Sequence, residues 1–156
     1  MGAPFYPTSA FIVEKMLALA GVNSESIVYD LGCGDGVIVV EAARHCNAMK
    51  AVGIEQKQRL CSIALRKTRH LGNAVIINAN YDDVDISEAS VVTLYQSASE
   101  NARLKQKLVR ELREGTKVVS HDFGIPGWRP SGYQVFREGR QNQRVLVYVI
   151  GSHTPL

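Results

Sequence analysis

The sequence predicts an α/β fold: a mostly parallel sheet of seven strands that ends in a C-terminal antiparallel hairpin. Three observations carry that expectation. Short apolar runs alternate with amphipathic stretches along most of the chain, the pattern of parallel strands joined by crossover helices. Residues 30–36 read Asp-Leu-Gly-Cys-Gly-Asp-Gly directly after Ile27-Val28-Tyr29, a strand opening into a glycine loop and then a helix. Two β-rich runs flank a polar loop around Gly139 near the end, a hairpin pattern that adds antiparallel strands.

Ile12, Met16 and Leu19 recur at helical spacing between a cap at Thr8 or Ser9 and a stop at Gly21, which predicts a leading helix over about 9–20. A strand over 26–31 runs into the glycine loop, and a helix from about 37 to 46 follows it. Ala51-Val52-Gly53-Ile54 forms the second strand, 50–55, which ends on Glu55. Leu60, Ala64 and Leu71 define the next helix, whose other face carries Arg59, Arg66, Lys67 and Arg69 as a solvated surface. Ala74–Asn78 and Ser90–Tyr95 are the third and fourth strands. Leu104, Leu108 and Leu112 mark an amphipathic helix with Arg103, Lys105, Lys107 and Arg110 facing out. Lys117–Ser120 is the fifth strand; Pro126, Gly127 and Pro130 then break regular structure before the runs at 133–137 and 144–150.

Length and composition bound the function. The 156 residues suffice for one domain with a proper core and not for two, so 1–156 is read as a single domain. No apolar stretch approaches the roughly 20 residues of a membrane span. Glu14 and Lys15 interrupt the leading apolar segment, which argues against a signal peptide, and a cytoplasmic protein without membrane attachment is expected. Cys33, Cys46 and Cys61 show no C-x-x-C spacing and are read as reduced and structural. The scattered His45, His70, His121 and His153 make no metal-ligand pattern with them. A net charge of +3 is far from a nucleic-acid signature.

The glycine loop decides the ligand class. Gly32, Gly34 and Gly36 can take positive φ and carry no Cβ, so the backbone can turn sharply and lie against a ligand, while the helix N-terminus behind the loop attracts a negative group. A dinucleotide fingerprint would need its third glycine at position 37, which is Val37. Glu55 falls about twenty residues beyond the loop, where a ribose-binding carboxylate belongs in a βαβ nucleotide unit. Ligands of open α/β sheets bind beyond the carboxyl ends of the strands. Those ends give Asp30, Glu55, Asn80-Tyr81, Tyr95-Gln96 and His121-Asp122. Asn80 either hydrogen-bonds an adenine amino group, with Tyr81 beside the ring, or is held in a turn through its own side chain. Tyr95 is either a site residue or a core aromatic. His121 is either a base or, more commonly at a strand end, a buried hydrogen-bonded side chain. Pro4-Phe5-Tyr6-Pro7-Thr8 is either a tail or a lid over the cofactor.

An acidic lead residue with glycines at every second position resembles the S-adenosylmethionine loop of Rossmann-like class I methyltransferases. With the segments in place, the chain resembles the archaeal protein lysine methyltransferases, a minimal single-domain group related to a eukaryotic mitochondrial lysine methyltransferase family. The resemblance runs from about Pro4 to His153 and rests on Tyr6-Pro7-Thr8, the stretch from Ile27 to Gly36, Ala51–Glu55, Val84-Asp85-Ile86-Ser87-Glu88-Ala89, Val118–Phe123 and Leu146–Gly151. It implies S-adenosylmethionine as donor, S-adenosylhomocysteine as product, and lysine side chains of proteins as acceptors with loose sequence preference. Ser9 stands where a proline is expected, which would loosen the lid.

The expected cofactor set is Tyr6, Thr8, Asp30, Gly32, Cys33, Gly34, Asp35, Gly36, Glu55, Asn80, Tyr81 and Tyr95. Tyr6 and Tyr95 are candidates to line an acceptor channel by aromatic contact with a lysine stem and ammonium. Asp122 is a weaker candidate for proton removal. The expected partners are proteins with exposed lysines. Nucleic acid is not expected as the direct substrate, and a monomer is expected. Methylation of RNA or of a small molecule is the rival activity, and a nucleotide-binding module without catalysis is a third class.

Overall fold

In the computed structural model, which describes residues 7–154, Ser9 caps a first helix α1 (Ala10–Leu19) by accepting the Ile12 amide at 3.3 Å. Then come β1 (Ile27–Leu31), α2 (Val37–Arg44), β2 (Lys50–Glu55), α3 (Gln58–Thr68), β3 (Ala74–Asn78), β4 (Val91–Leu94), α4 (Ala98–Glu111), β5 (Lys117–His121), β6 (Gly132–Glu138) and β7 (Gln141–Val149). A short 3-10 turn, Tyr81–Asp83, follows β3. The sheet order is β3-β2-β1-β4-β5-β7-β6. The first five strands are parallel, and β7 runs antiparallel to both β5 and β6.

Strands β1, β2, β4 and β5 are buried almost end to end, as a parallel sheet covered on both faces requires. One face packs Ile12, Met16, Leu17, Val39 and Ala42 of α1 and α2, with Ala64 of α3, against the sheet. The other packs Leu104 and Leu108 of α4, with Leu112 and Ile86, against Leu31, Val92, Leu94 and Tyr148.

Two expectations need correction. Lys107 does not face out: its side chain is buried, with Nζ donating to the Val84 carbonyl at 2.7 Å and to Glu111 at 2.7 Å. Its aliphatic stem fills space beneath the Val84 loop while the ammonium finds two acceptors, so the charge is tolerated inside. The second hairpin strand also starts earlier than its apolar run. Glu138 pairs with Gln141 across a two-residue turn whose Gly139 has φ 62, so the polar Gln141–Arg144 joins the ladder at the sheet margin.

Candidate active site

Strand order reverses direction between β1 and β4, and a cleft of about 790 Å³ opens beyond the carboxyl ends of these strands. Its walls include Asp30, Gly32, Cys33 and Asp35 from the β1 loop, Glu55 and Lys57 after β2, Asn80 and Tyr81 after β3, and Tyr95 and Gln96 after β4. Pro7 and Thr8 reach it from ahead of α1. Among the expected site residues, Thr8, Asp30, Gly32, Cys33, Asp35, Glu55, Asn80, Tyr81 and Tyr95 therefore meet at one place. Tyr6 lies outside the described residues.

Gly32, Gly34 and Gly36 take φ of 79°, 56° and 88°. A Cβ on Gly32 would come within 2.5 Å of the Gln96 amide, which itself donates to the Leu31 carbonyl at 3.1 Å and roofs the loop. A Cβ on Gly36 would sit 3.0 Å from the Ala64 Cβ, so this glycine lets α2 start against α3. Four of the loop amides have partners within the protein. Gly32 and Cys33 both donate to the Ile54 carbonyl at 2.9 Å, Gly36 donates to the Cys33 carbonyl at 2.9 Å, and Gly34 donates to Glu55 Oε1 at 2.9 Å.

The electrostatics point to a cationic ligand. Four carboxyl groups, those of Asp30, Asp35, Glu55 and Glu100, line the cleft with one lysine, Lys57, while Lys67 and Arg103 pair with Asp35 and Glu100. Asp30 is buried and accepts the Thr93 hydroxyl at 2.8 Å. Burial drives its carboxyl up; the Thr93 hydrogen bond opposes this, the charges of Glu55 and Asp35 add to it, and the result is about 7. Asp35 pairs with Lys67 at 3.0 Å through Oδ2, while its buried Oδ1 has no hydrogen-bond partner among the described residues. Such an oxygen calls for a donor from a ligand. Two phosphates of a dinucleotide would be repelled here, whereas a ligand bearing a sulfonium and an ammonium is attracted.

The remaining predicted residues are distributed by role. Cys33 lines the cleft, but its side chain is buried close against Gly53, whose added Cβ would lie 2.7 Å from Sγ; burial pushes the thiol well up, so it packs and does not react. Asn80 Oδ1 accepts the Asp82 amide at 2.9 Å, the turn alternative, at a residue that also lines the cleft. Tyr81 donates its hydroxyl to Glu100, and Arg103 clamps Glu100 at 2.6 Å and Asp82 at 3.0 Å, which builds a rigid rim. Tyr95 stacks on His121 with ring centroids 4.1 Å apart.

Asp122 is not among the cleft-lining residues. It sits in left-handed backbone at φ 63, where its amide donates to the Arg144 carbonyl at 2.8 Å and its Oδ1 accepts the Arg144 amide at 2.9 Å. One oxygen of this carboxylate is thus tied to the hairpin, where it serves the turn. Gln96, expected only as a strand end, lines the cleft, and so do Ser97 and Glu100, which were not expected; their signal was the Ser97 N-cap and first-turn Glu100 directly after β4. Ser9, at the position where a proline was expected, donates its hydroxyl to Glu138 Oε2 at 2.8 Å and so ties the start of α1 to β6.

The ANTKMT methyltransferase domain profile matches residues 30–132. The chain belongs to that family. It is 44% identical over 153 residues to a protein-lysine N-methyltransferase of Saccharolobus islandicus (strain REY15A), covering 96% of this chain and 95% of that one. It is 31% identical to the adenine nucleotide translocase lysine N-methyltransferase of Mus musculus, of whose length the matched region spans 65%, against 97% of this chain. Among solved structures, an RNA methyltransferase from Salinibacter ruber in complex with S-adenosyl-L-homocysteine superposes with a TM-score of 0.86 at 37% identity, over 96% of this chain and 97% of that one. The chain is a class I methyltransferase that takes its methyl from S-adenosylmethionine. No described helix is long and apolar enough to cross a membrane.

Proposed function

We infer that the chain is a protein-lysine N-methyltransferase with a broad range of protein acceptors. The observation that carries this reading is the acidic cleft on a single small domain, together with 44% identity over nearly the full length to an enzyme of that name. S-adenosylmethionine supplies an electrophilic methyl on a sulfonium, which leaves by in-line displacement. The glycine loop and Gln96 would hold its methionine end, with Asp30 and Asp35 facing its ammonium. Glu55 would accept from the ribose, and Tyr81 and Asn80 would flank the adenine.

The acceptor must arrive neutral. A lysine with an ordinary pKa near 10.4 lies about 3.4 units from half-neutral at pH 7, a cost of roughly 4.6 kcal/mol. Burial beside a sulfonium lowers that cost, so the site needs positioning and desolvation more than a dedicated base. Tyr95, with Tyr6 from the leading segment, would line the lysine channel, and residues 1–8 would act as a lid. The same reading has the enzyme monomeric and cytoplasmic.

One observation favours a second reading, methylation of RNA: the likeness to the RNA methyltransferase from Salinibacter ruber. Against it stand the four carboxylates of the cleft, which oppose a polyanion, and the internal pairing of two basic residues of α4, Arg103 and Lys107. Incubation with radiolabelled cofactor and cell extract, followed by separate protease and nuclease digestion, tests the assignment. Label that protease releases and mass spectrometry places on many lysines supports it. Label released by nuclease overturns it in favour of RNA.

A further inference from the structure

A chain of largely buried hydrogen bonds runs from the cleft wall to the terminal hairpin. Thr8 Oγ1 lies 3.3 Å from His121 Nδ1, His121 Nε2 lies 2.6 Å from Gln143 Oε1, and Gln143 Nε2 donates to Glu138 Oε1 at 2.8 Å. Ser9 closes the circuit on Glu138 Oε2. Directions follow from one end. A carboxylate only accepts, so the Gln143 amide nitrogen faces Glu138 and its oxygen faces His121. His121 therefore carries its proton on Nε2. The ring is buried, and burial lowers its pKa below the usual histidine range, so it is neutral and Nδ1 is bare. A bare Nδ1 accepts a hydrogen bond from the Thr8 hydroxyl.

We propose that His121 is a positioning residue for methyl transfer: by accepting a hydrogen bond from the Thr8 hydroxyl it turns the Thr8 oxygen's lone pairs toward the cleft, where they accept an N–H of the acceptor amine. The proposal rests on the lysine reading and adds to it the group that aims the nitrogen. Displacement needs the amine's single lone pair in line with the methyl, so its N–H bonds must be held away from it. Thr8 lines the cleft, and Tyr95, which stacks on the same imidazole, lines it too. The two residues that face the acceptor thus share one support. Protonation of His121 would turn Nδ1 into a donor and force the Thr8 proton toward the cleft, against an incoming amine. The groups around the ring are Thr8 ahead of α1, Tyr95 after β4, Asp122 after β5, Glu138 on β6 and Gln143 on β7.

The test compares the wild-type chain with Thr8→Ser, Thr8→Val and Gln143→Leu. Its readouts are methylation kinetics on a lysine-rich protein from pH 5 to pH 9, calorimetry with S-adenosylhomocysteine, and the ¹⁵N spectrum of His121. Thr8→Val is expected to lower kcat by about ten- to a hundredfold, far more than it weakens S-adenosylhomocysteine binding, and Thr8→Ser to restore the rate. Wild-type His121 is expected as the neutral Nε2–H tautomer at pH 7, and Gln143→Leu is expected to mix the tautomers and lower kcat in parallel. An Nδ1–H tautomer in the wild type, or an unchanged kcat in Thr8→Val, overturns the proposal. Failure of the lysine reading shows itself differently, as a wild-type chain that methylates no lysine, and the proposal, which needs an acceptor amine, then falls with it even if the spectrum shows the expected tautomer.

Discussion

Glu55 Oε1 accepts the Gly34 amide at 2.9 Å, so the acid at the end of β2 ties down the glycine loop from below as well as facing the cleft. Its other oxygen accepts the Lys57 amide at 2.8 Å, which fixes the start of α3. Glu55→Ala strips partners from two backbone donors and is expected to cost about 1–3 kcal/mol of stability and to weaken S-adenosylhomocysteine binding. Thermal unfolding and calorimetry with S-adenosylhomocysteine read the two losses separately. A variant that binds poorly yet melts like the wild type would show that Glu55 serves the ligand alone.

Gly36 is held at φ 88 with α3 directly behind it, and Gly115 has the same φ with nothing within 4 Å of an added Cβ. Both alanine variants pay the left-handed backbone penalty of roughly 1–2 kcal/mol. Gly36→Ala should lose more, because α2 and α3 must part. Chemical denaturation of the two, compared side by side, isolates the packing term.

Asp30 makes the free enzyme sensitive to pH. Its native carboxyl holds a proton up to about 7, against about 4 in an unfolded chain. The stability it contributes is therefore complete below about 4 and is lost as pH rises through about 7. A cationic cofactor favours the ionised form, so affinity for S-adenosylmethionine should climb between pH 6 and pH 8 with release of a proton. Calorimetry in buffers of different ionisation enthalpy detects that proton. Asp30→Asn keeps an acceptor for Thr93 and should flatten both pH dependences.

Removal of residues 1–8 takes away Thr8 and leaves the described sheet and helices intact. The shortened chain is expected to keep its circular dichroism spectrum and to lose most of its methyl transfer. Equal rates for the full and shortened chains would make the segment a tail.

Local spacing made the glycine loop, Glu55 and the strand tips readable, because each depends on residues adjacent along the chain or on one βαβ step. The parallel sheet followed for the same reason, since every crossover is a short helical stretch between short apolar runs. What escaped depends on distant pairs. Thr8 and His121 are separated by 113 positions, and nothing near either residue hints at the other. Lys107 reads as a solvent-facing charge on α4 until the Val84 carbonyl is brought over it by the chain that precedes β4. The loop amides look available in sequence and are taken only once β2 lies beside β1 and offers the Ile54 carbonyl. Asn80 stayed open because a turn and a ligand contact ask for the same side chain.

The ring of carboxylates also bears on turnover. Reaction converts a sulfonium into an uncharged thioether, and the positive charge departs on the methylated amine. The cleft lined by Asp30, Asp35, Glu55 and Glu100 would then hold a product with one charge fewer than the reactant, so the attraction that loads it would weaken once the chemistry is done. Exchange of spent for fresh cofactor is thereby biased forward by the protein's fixed charges, and added salt, which screens those charges, should narrow the preference for reactant over product.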